Sequence, residues 1–211
     1  MYFLKGLIYV GNIFLIINAI LYIRALHNSK AFKVFTFFLV TISIIQTSMT
    51  LISRVLHENN LYLNNVFLVL QFLILSIFYS TLLKRRFVIS ILILVLSFLS
   101  YQYLSDLNLF FVYNPIGISL TQAILMIYSL LYLYDSLKDK KPQFLLINIG
   151  IFLYLICSTL IFASGNLIFN INIPQKTYLL LLKLNAFLFI IFQILIFIEW
   201  RKNYYKKIPK S

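Results

Sequence analysis

Charge is scarce in this chain, and negative charge scarcest. Five aspartates and glutamates face eighteen lysines and arginines, and charged residues make up 11% of 211 positions. A soluble domain carries roughly 25% charged residues, so too few ionised groups are present to cover a water-facing surface of this size. Cysteine occurs once, at Cys157 inside an apolar stretch, which excludes an internal disulfide and any zinc or iron–sulfur ligand spacing. The two histidines, His27 and His57, fall in loops at opposite ends of one helix and cannot share a metal. The sequence contains no complete catalytic or cofactor motif, and no cofactor is expected.

What is present is hydrophobic: 62% of the residues, gathered in blocks of about 20, the length a helix needs to cross roughly 30 Å of hydrocarbon. Seven apolar segments stand out, at about Leu4–Leu26, Lys33–Ser53, Leu61–Leu83, Phe87–Leu104, Pro115–Leu137, Phe144–Gly165 and Tyr178–Trp200. The expected fold is an all-α, polytopic seven-transmembrane-helix bundle in one domain spanning 1–211, with no soluble domain. The breaks carry ordinary punctuation: Glu58-Asn59-Asn60, Lys84-Arg85-Arg86, Lys140-Lys141-Pro142 and Gly165-Asn166. Asn114-Pro115 opens the fifth segment with proline near the first helical position, where its missing N–H costs nothing. Ser105–Asn114 is apolar but too short to span, and is expected to lie in the interface or cap the bundle.

A net charge of +13 would point to nucleic acid in a soluble protein. Here the basic residues crowd the short loops, where they set orientation, and no nucleic-acid partner is expected. The first, third and fifth loops and the C-terminal tail hold fourteen of them, against Lys5, Arg54 and Lys176 on the other side. Basic loops stay in the cytoplasm, so the N-terminus is expected outside and the C-terminus inside, in a bacterial inner (plasma) membrane. The first segment lacks a small-x-small cleavage site and reads as a retained helix. Trp200, Tyr204 and Tyr205 on one side, and Tyr101, Tyr103 and Tyr113 on the other, suit interfacial positions.

Polar side chains inside hydrocarbon are costly and usually face a bundle interior. Counting depth along each helix places Asn12, Gln46, Thr47, Gln71, Gln122, Ser158, Thr159, Lys183 and Asn185 in one layer, roughly 9–14 Å below the outer surface. Ser43, Gln46, Thr47, Thr50 and Arg54 form a stripe on one face of the second helix. Such a layer either bonds helices together or lines an outward-opening cavity. On the cavity reading the ligand-binding residues are Gln46, Thr50, Gln71, Gln122, Thr159, Lys183 and Asn185. Lys183 has no acid within the segments to pair with, and either snorkels to the headgroups or holds a small anionic ligand.

An enzyme is not expected, since general acid–base work needs a carboxylate or histidine at the reacting centre. A serine–lysine pair of Ser158 or Thr159 with Lys183 is conceivable. Small-molecule or lipid transport is a further alternative. The expected layout resembles that of PQ-loop carriers, and Pro142-Gln143 and Pro174-Gln175 occur. Both pairs lie at helix starts rather than at mid-helix kinks. The third alternative is a structural membrane scaffold.

The string PQFLLINIGIFLYLICSTLIFASGNLIF, followed by LNAFLFIIFQILIFIEWRK, resembles the last two helices of short uncharacterised heptahelical membrane proteins of Bacteroidetes. Those are in turn similar to the seven-helix halves of some sensor kinases. The resemblance implies a sensor or signalling module acting with a separate membrane or cytoplasmic partner, such as a histidine kinase.

Overall fold

The computed structural model describes residues 2–25, 29–57, 59–139, 142–163 and 175–205. His27, Glu58, Lys140, Lys141, the Gly165-Asn166 stop, Pro174, Lys206, Lys207 and Lys210 lie outside the described residues, and Arg54 is described for its backbone alone. Among the described residues seven α-helices are seen: α1 (Tyr2–Ala25), α2 (Lys30–Leu51), α3 (Leu61–Leu83), α4 (Phe87–Ser105), α5 (Pro115–Ser136), α6 (Leu145–Ala163) and α7 (Gln175–Asn203). No strand occurs among the described residues. Six of these helices are long and apolar enough to cross a bilayer, while α6 contributes a shorter apolar run, Leu145–Leu160. The chain is a multi-pass integral membrane protein, in contact with lipid.

Local chemistry accounts for the helix ends. Ser29 caps α2 by accepting the Phe32 N–H at 3.2 Å, so α2 starts three residues before the apolar segment does. Asn114 caps α5, accepting the Gly117 N–H at 2.8 Å ahead of Pro115. Leu107–Phe111 forms a short 3-10 turn, held as a lid on α3 by Asn65, whose Nδ2 donates to the carbonyls of Leu109, Phe110 and Val112. The last turn of α2 loosens into a π-helix over Ile52–Leu56 and stops at His57, whose φ of 57° is left-handed. At 29 residues, α7 is about 43 Å long and outruns the hydrocarbon.

Six helices close a ring, α1–α2–α3–α5–α6–α7 and back to α1, and α4 packs outside it against α3. The interior is mainly apolar, but polar side chains are enclosed within it and the exterior is apolar as well. Asn18, Asn65, Asn148 and Ser129 are fully enclosed, whereas Ile13, Ile44, Ile93, Leu94, Leu104 and Leu160 point outward. Outward side chains meet lipid, and the inward amides of Asn18, Asn65 and Asn148 donate to carbonyl oxygens on the helices and turns around them.

At the end carrying Arg24, Lys84–Arg86 and Arg201, the ring is filled by aromatics. Tyr22 stacks on Phe32 at 5.2 Å, Phe32 meets Tyr204 at 4.7 Å, and Phe35, Phe78 and Phe144 complete the plug. Glu199, 1% exposed, reaches from α7 to the start of α6 and accepts the N–H groups of Phe144 at 2.8 Å and Leu146 at 2.9 Å. Asn203 donates to the same carboxylate. This supplies, from another helix, the acceptors that the first turn of α6 lacks. Phe144 itself takes a left-handed φ of 61°.

Candidate ligand-binding cavity

The opposite half of the ring is not filled. A cavity of about 250 Å³ lies between α1, α2, α3, α6 and α7, and a second of about 150 Å³ between α2, α3, α5, α6 and α7. Gln46, Phe67, Gln71, Tyr154 and Asn185 line both, so the two lobes adjoin at these five side chains. The larger lobe is mostly walled by aliphatic and aromatic residues such as Leu4, Ile8, Ile42, Leu182 and Phe189. In the smaller lobe Asn64, Tyr113, Thr121, Gln122 and Ser158 join the shared amides, and apolar residues are the minority. No Lys, Arg, His, Asp or Glu is among the described residues that line either lobe.

Each wall is set by an identifiable bond. Asn12 Nδ2 donates to Thr50 Oγ1 at 3.3 Å, tying α1 to α2, while Thr50 donates back to the Gln46 carbonyl at 2.8 Å. Thr159 Oγ1 donates to Gln122 Oε1 at 3.0 Å, tying α6 to α5. Gln193 closes the floor of the larger lobe and receives Asn18 Nδ2 on both its carbonyl and its Oε1, at 2.9 and 3.0 Å. Tyr154 stacks on Phe192 with rings 11° from parallel, and its hydroxyl faces Ser158 and Asn185. Asn185 Oδ1 and Ser158 Oγ are buried with no hydrogen-bond partner within range.

The structure therefore brings Gln46, Gln71, Gln122 and Asn185 to the cavity wall, with Thr50 and Thr159 directly behind it on Asn12 and Gln122. Gln71 and Gln122 are buried, Gln46 is half-buried, and Thr47 of the α2 stripe is exposed. Lys183 is placed elsewhere. Its Nζ lies 5.9 Å over the exposed ring of Phe3 on α1, a cation–π arrangement outside both lobes. Thr159 is correspondingly engaged with Gln122, and Ser158 faces Tyr154 rather than Lys183.

Sequence reasoning passed over Tyr154, Asn64, Tyr113, Thr121 and Gln193. Tyr154 left a signal: a phenol at mid-span in Phe-Leu-Tyr-Leu-Ile carries a hydroxyl that needs a partner. Asn18 and Gln193 also lie at matching heights on neighbouring helices, a coincidence detectable once α1 and α7 are known to touch. No family model, no curated protein and no solved structure matches this chain.

Proposed function

We propose that this protein is a ligand-responsive sensor or signalling module of the bacterial inner membrane, working with a separate partner such as a histidine kinase through its basic end. In this reading the N-terminus is outside, the C-terminus is cytoplasmic, and the cavity opens toward the outer side. The observation that carries the proposal is the two-lobed cavity with amide and hydroxyl walls, in a bundle otherwise packed with large aromatics. Helix bundles close such space unless something occupies it, because an empty lobe forfeits dispersion contacts. The lining supplies groups that bind rather than groups that exchange protons near neutral pH, which favours recognition over catalysis. α6 and α7 contribute to the cavity and also meet at Glu199 in the opposite half, so a change in their packing has a direct route from one end to the other.

The test is chromosomal replacement of Gln71 by Leu in the native host. A sensor predicts that Gln71→Leu reproduces the transcript changes of a full deletion while the protein remains in the membrane at parental level. The carrier alternative predicts unchanged transcripts together with lost solute flux in proteoliposomes, and that outcome would replace the proposal.

A further inference from the structure

We infer that the cavity takes an uncharged amphiphile: a hydroxyl- or N–H-bearing head in the smaller lobe, among its amide side chains, and an apolar portion in the larger lobe. The inference rests on the ligand-responsive reading above and narrows it to a chemical class.

Three observations lead there. First, an ionised ligand would lose its hydration and gain no counter-charge from the described lining residues, among which there is no acid and no base. An unpaired charge enclosed in this way is strongly disfavoured. Lys183 sits over Phe3 outside the lobes and cannot compensate. Second, amides and hydroxyls dominate the smaller lobe. Gln122 Oε1 and Thr50 Oγ1 are already occupied by Thr159 and Asn12, whereas Gln46, Asn64 and Gln71 present amides that both donate and accept. An enclosed amide without a partner is costly, and a ligand hydroxyl or N–H supplies one. Third, the two lobes differ in character but share a junction. A cavity of about 150 Å³ accommodates a ring the size of benzene, which sets the scale of the head, and the larger apolar lobe takes a short chain or second ring.

The experiment uses the full chain in zwitterionic nanodiscs, with ligand-observed NMR titrations corrected for bilayer partition. The probes are benzyl alcohol, 2-phenylethanol, 3-phenylpropanol and 4-phenylbutanol, together with phenylacetate and 2-phenylethylammonium as ionised counterparts. The expected result is saturable binding of the alcohols, tightening roughly threefold per added methylene until the larger lobe is full. The ionised compounds should bind at least about 100-fold more weakly. Asn185→Leu should abolish saturable binding, and Ser158→Ala, which removes a hydroxyl without adding volume, should weaken it about five- to tenfold. Lys183→Met should bind like the parent. The inference is overturned if phenylacetate or the amine binds as tightly as 2-phenylethanol, if no alcohol saturates, or if both Asn185→Leu and Ser158→Ala retain parental affinity. Preference for phenylacetate would leave ligand responsiveness standing and refute the uncharged class. Saturable alcohol binding with unchanged transcripts in the Gln71→Leu strain would do the reverse.

Discussion

Glu199 carries the largest single-residue consequence outside the cavity. Its carboxylate holds two backbone N–H groups at the start of α6 and the side chain of Asn203, all inside the aromatic plug. Removing the acceptor strands buried donors at about 1–3 kcal/mol each. Glu199→Ala is therefore expected to lower stability by about 2–5 kcal/mol, and Glu199→Gln, which keeps one carbonyl oxygen, by about half as much. Reversible unfolding in mixed micelles measures both, and equal stability of Glu199→Ala and parent would contradict the capping role. Tyr204, just beyond α7, adds a pH dependence. Burial, reinforced by the Glu199 carboxylate, pushes its hydroxyl well above the usual phenol range. The folded protein thus holds this proton more tightly than the unfolded chain does. The contribution is fully present below about pH 10 and is lost as the pH rises beyond it, because the unfolded chain ionises first. Melting temperatures between pH 7 and 11 should fall on the alkaline side, with a shallower fall for Tyr204→Phe. Arg85 and Asp135 form a bridge at 3.0 Å between partly exposed side chains, and Asp135→Asn is expected to change stability by less than about 1 kcal/mol.

Among the elements, α7 closes the ring between α6 and α1. It meets α1 through Asn18, Tyr22 and Trp200, whose side chains donate to Gln193, the Ile196 carbonyl and the Leu21 carbonyl respectively. It meets α6 and α1 again through two glycines. A Cβ on Gly150 would stand 2.6 Å from Phe192, and one on Gly11 would stand 2.8 Å from Phe189. Small residues let membrane helices approach closely where lipid offers no hydrophobic drive to association. The two sites differ in how freely the ring can yield. Both rings line the larger lobe, but Phe192 is buried and stacked on Tyr154, whereas Phe189 is half-buried. Gly150→Ala should cost about 1–3 kcal/mol and displace Tyr154 from the cavity junction, weakening alcohol binding. Gly11→Ala should cost less, the Phe189 ring moving into open space. Comparing both melts with both binding curves checks the ordering, and a larger penalty at Gly11 would refute it.

For the whole molecule, the decisive quantity is the way the chain is threaded. The basic residues of the first and third loops and of the end of α7 gather at the plugged end, with Lys5, Lys176 and the cavity at the other. A reporter fused after Ser211 is expected to be active in the cytoplasm and one fused before Tyr2 outside. An externally accessible C-terminus would overturn the proposed orientation and, with it, a cavity facing the outer side.

Membrane residence, helix number and the approximate helix ends were legible from composition and spacing because they are local properties. Transfer free energy sums along the chain, and caps such as Ser29 and Asn114 act within a few residues. Depth was legible for the same reason, at about 1.5 Å per residue, which is why Gln46, Gln71, Gln122 and Asn185 were placed at one level and do meet there. Azimuth was not. Lys183 and Asn185 are two residues apart and therefore about 200° apart around α7; one lies over Phe3 outside the bundle, the other in both lobes. Asn64 and Asn65 are adjacent, yet the first lines the smaller lobe and the second holds the Leu107–Phe111 turn. The tertiary structure alone decided which neighbour each helix takes, that α4 stands outside the ring, and that Glu199 caps α6 from 53 and 55 residues away. These depend on how every helix is rotated against the others, a packing solution shared by the whole bundle that no single segment encodes.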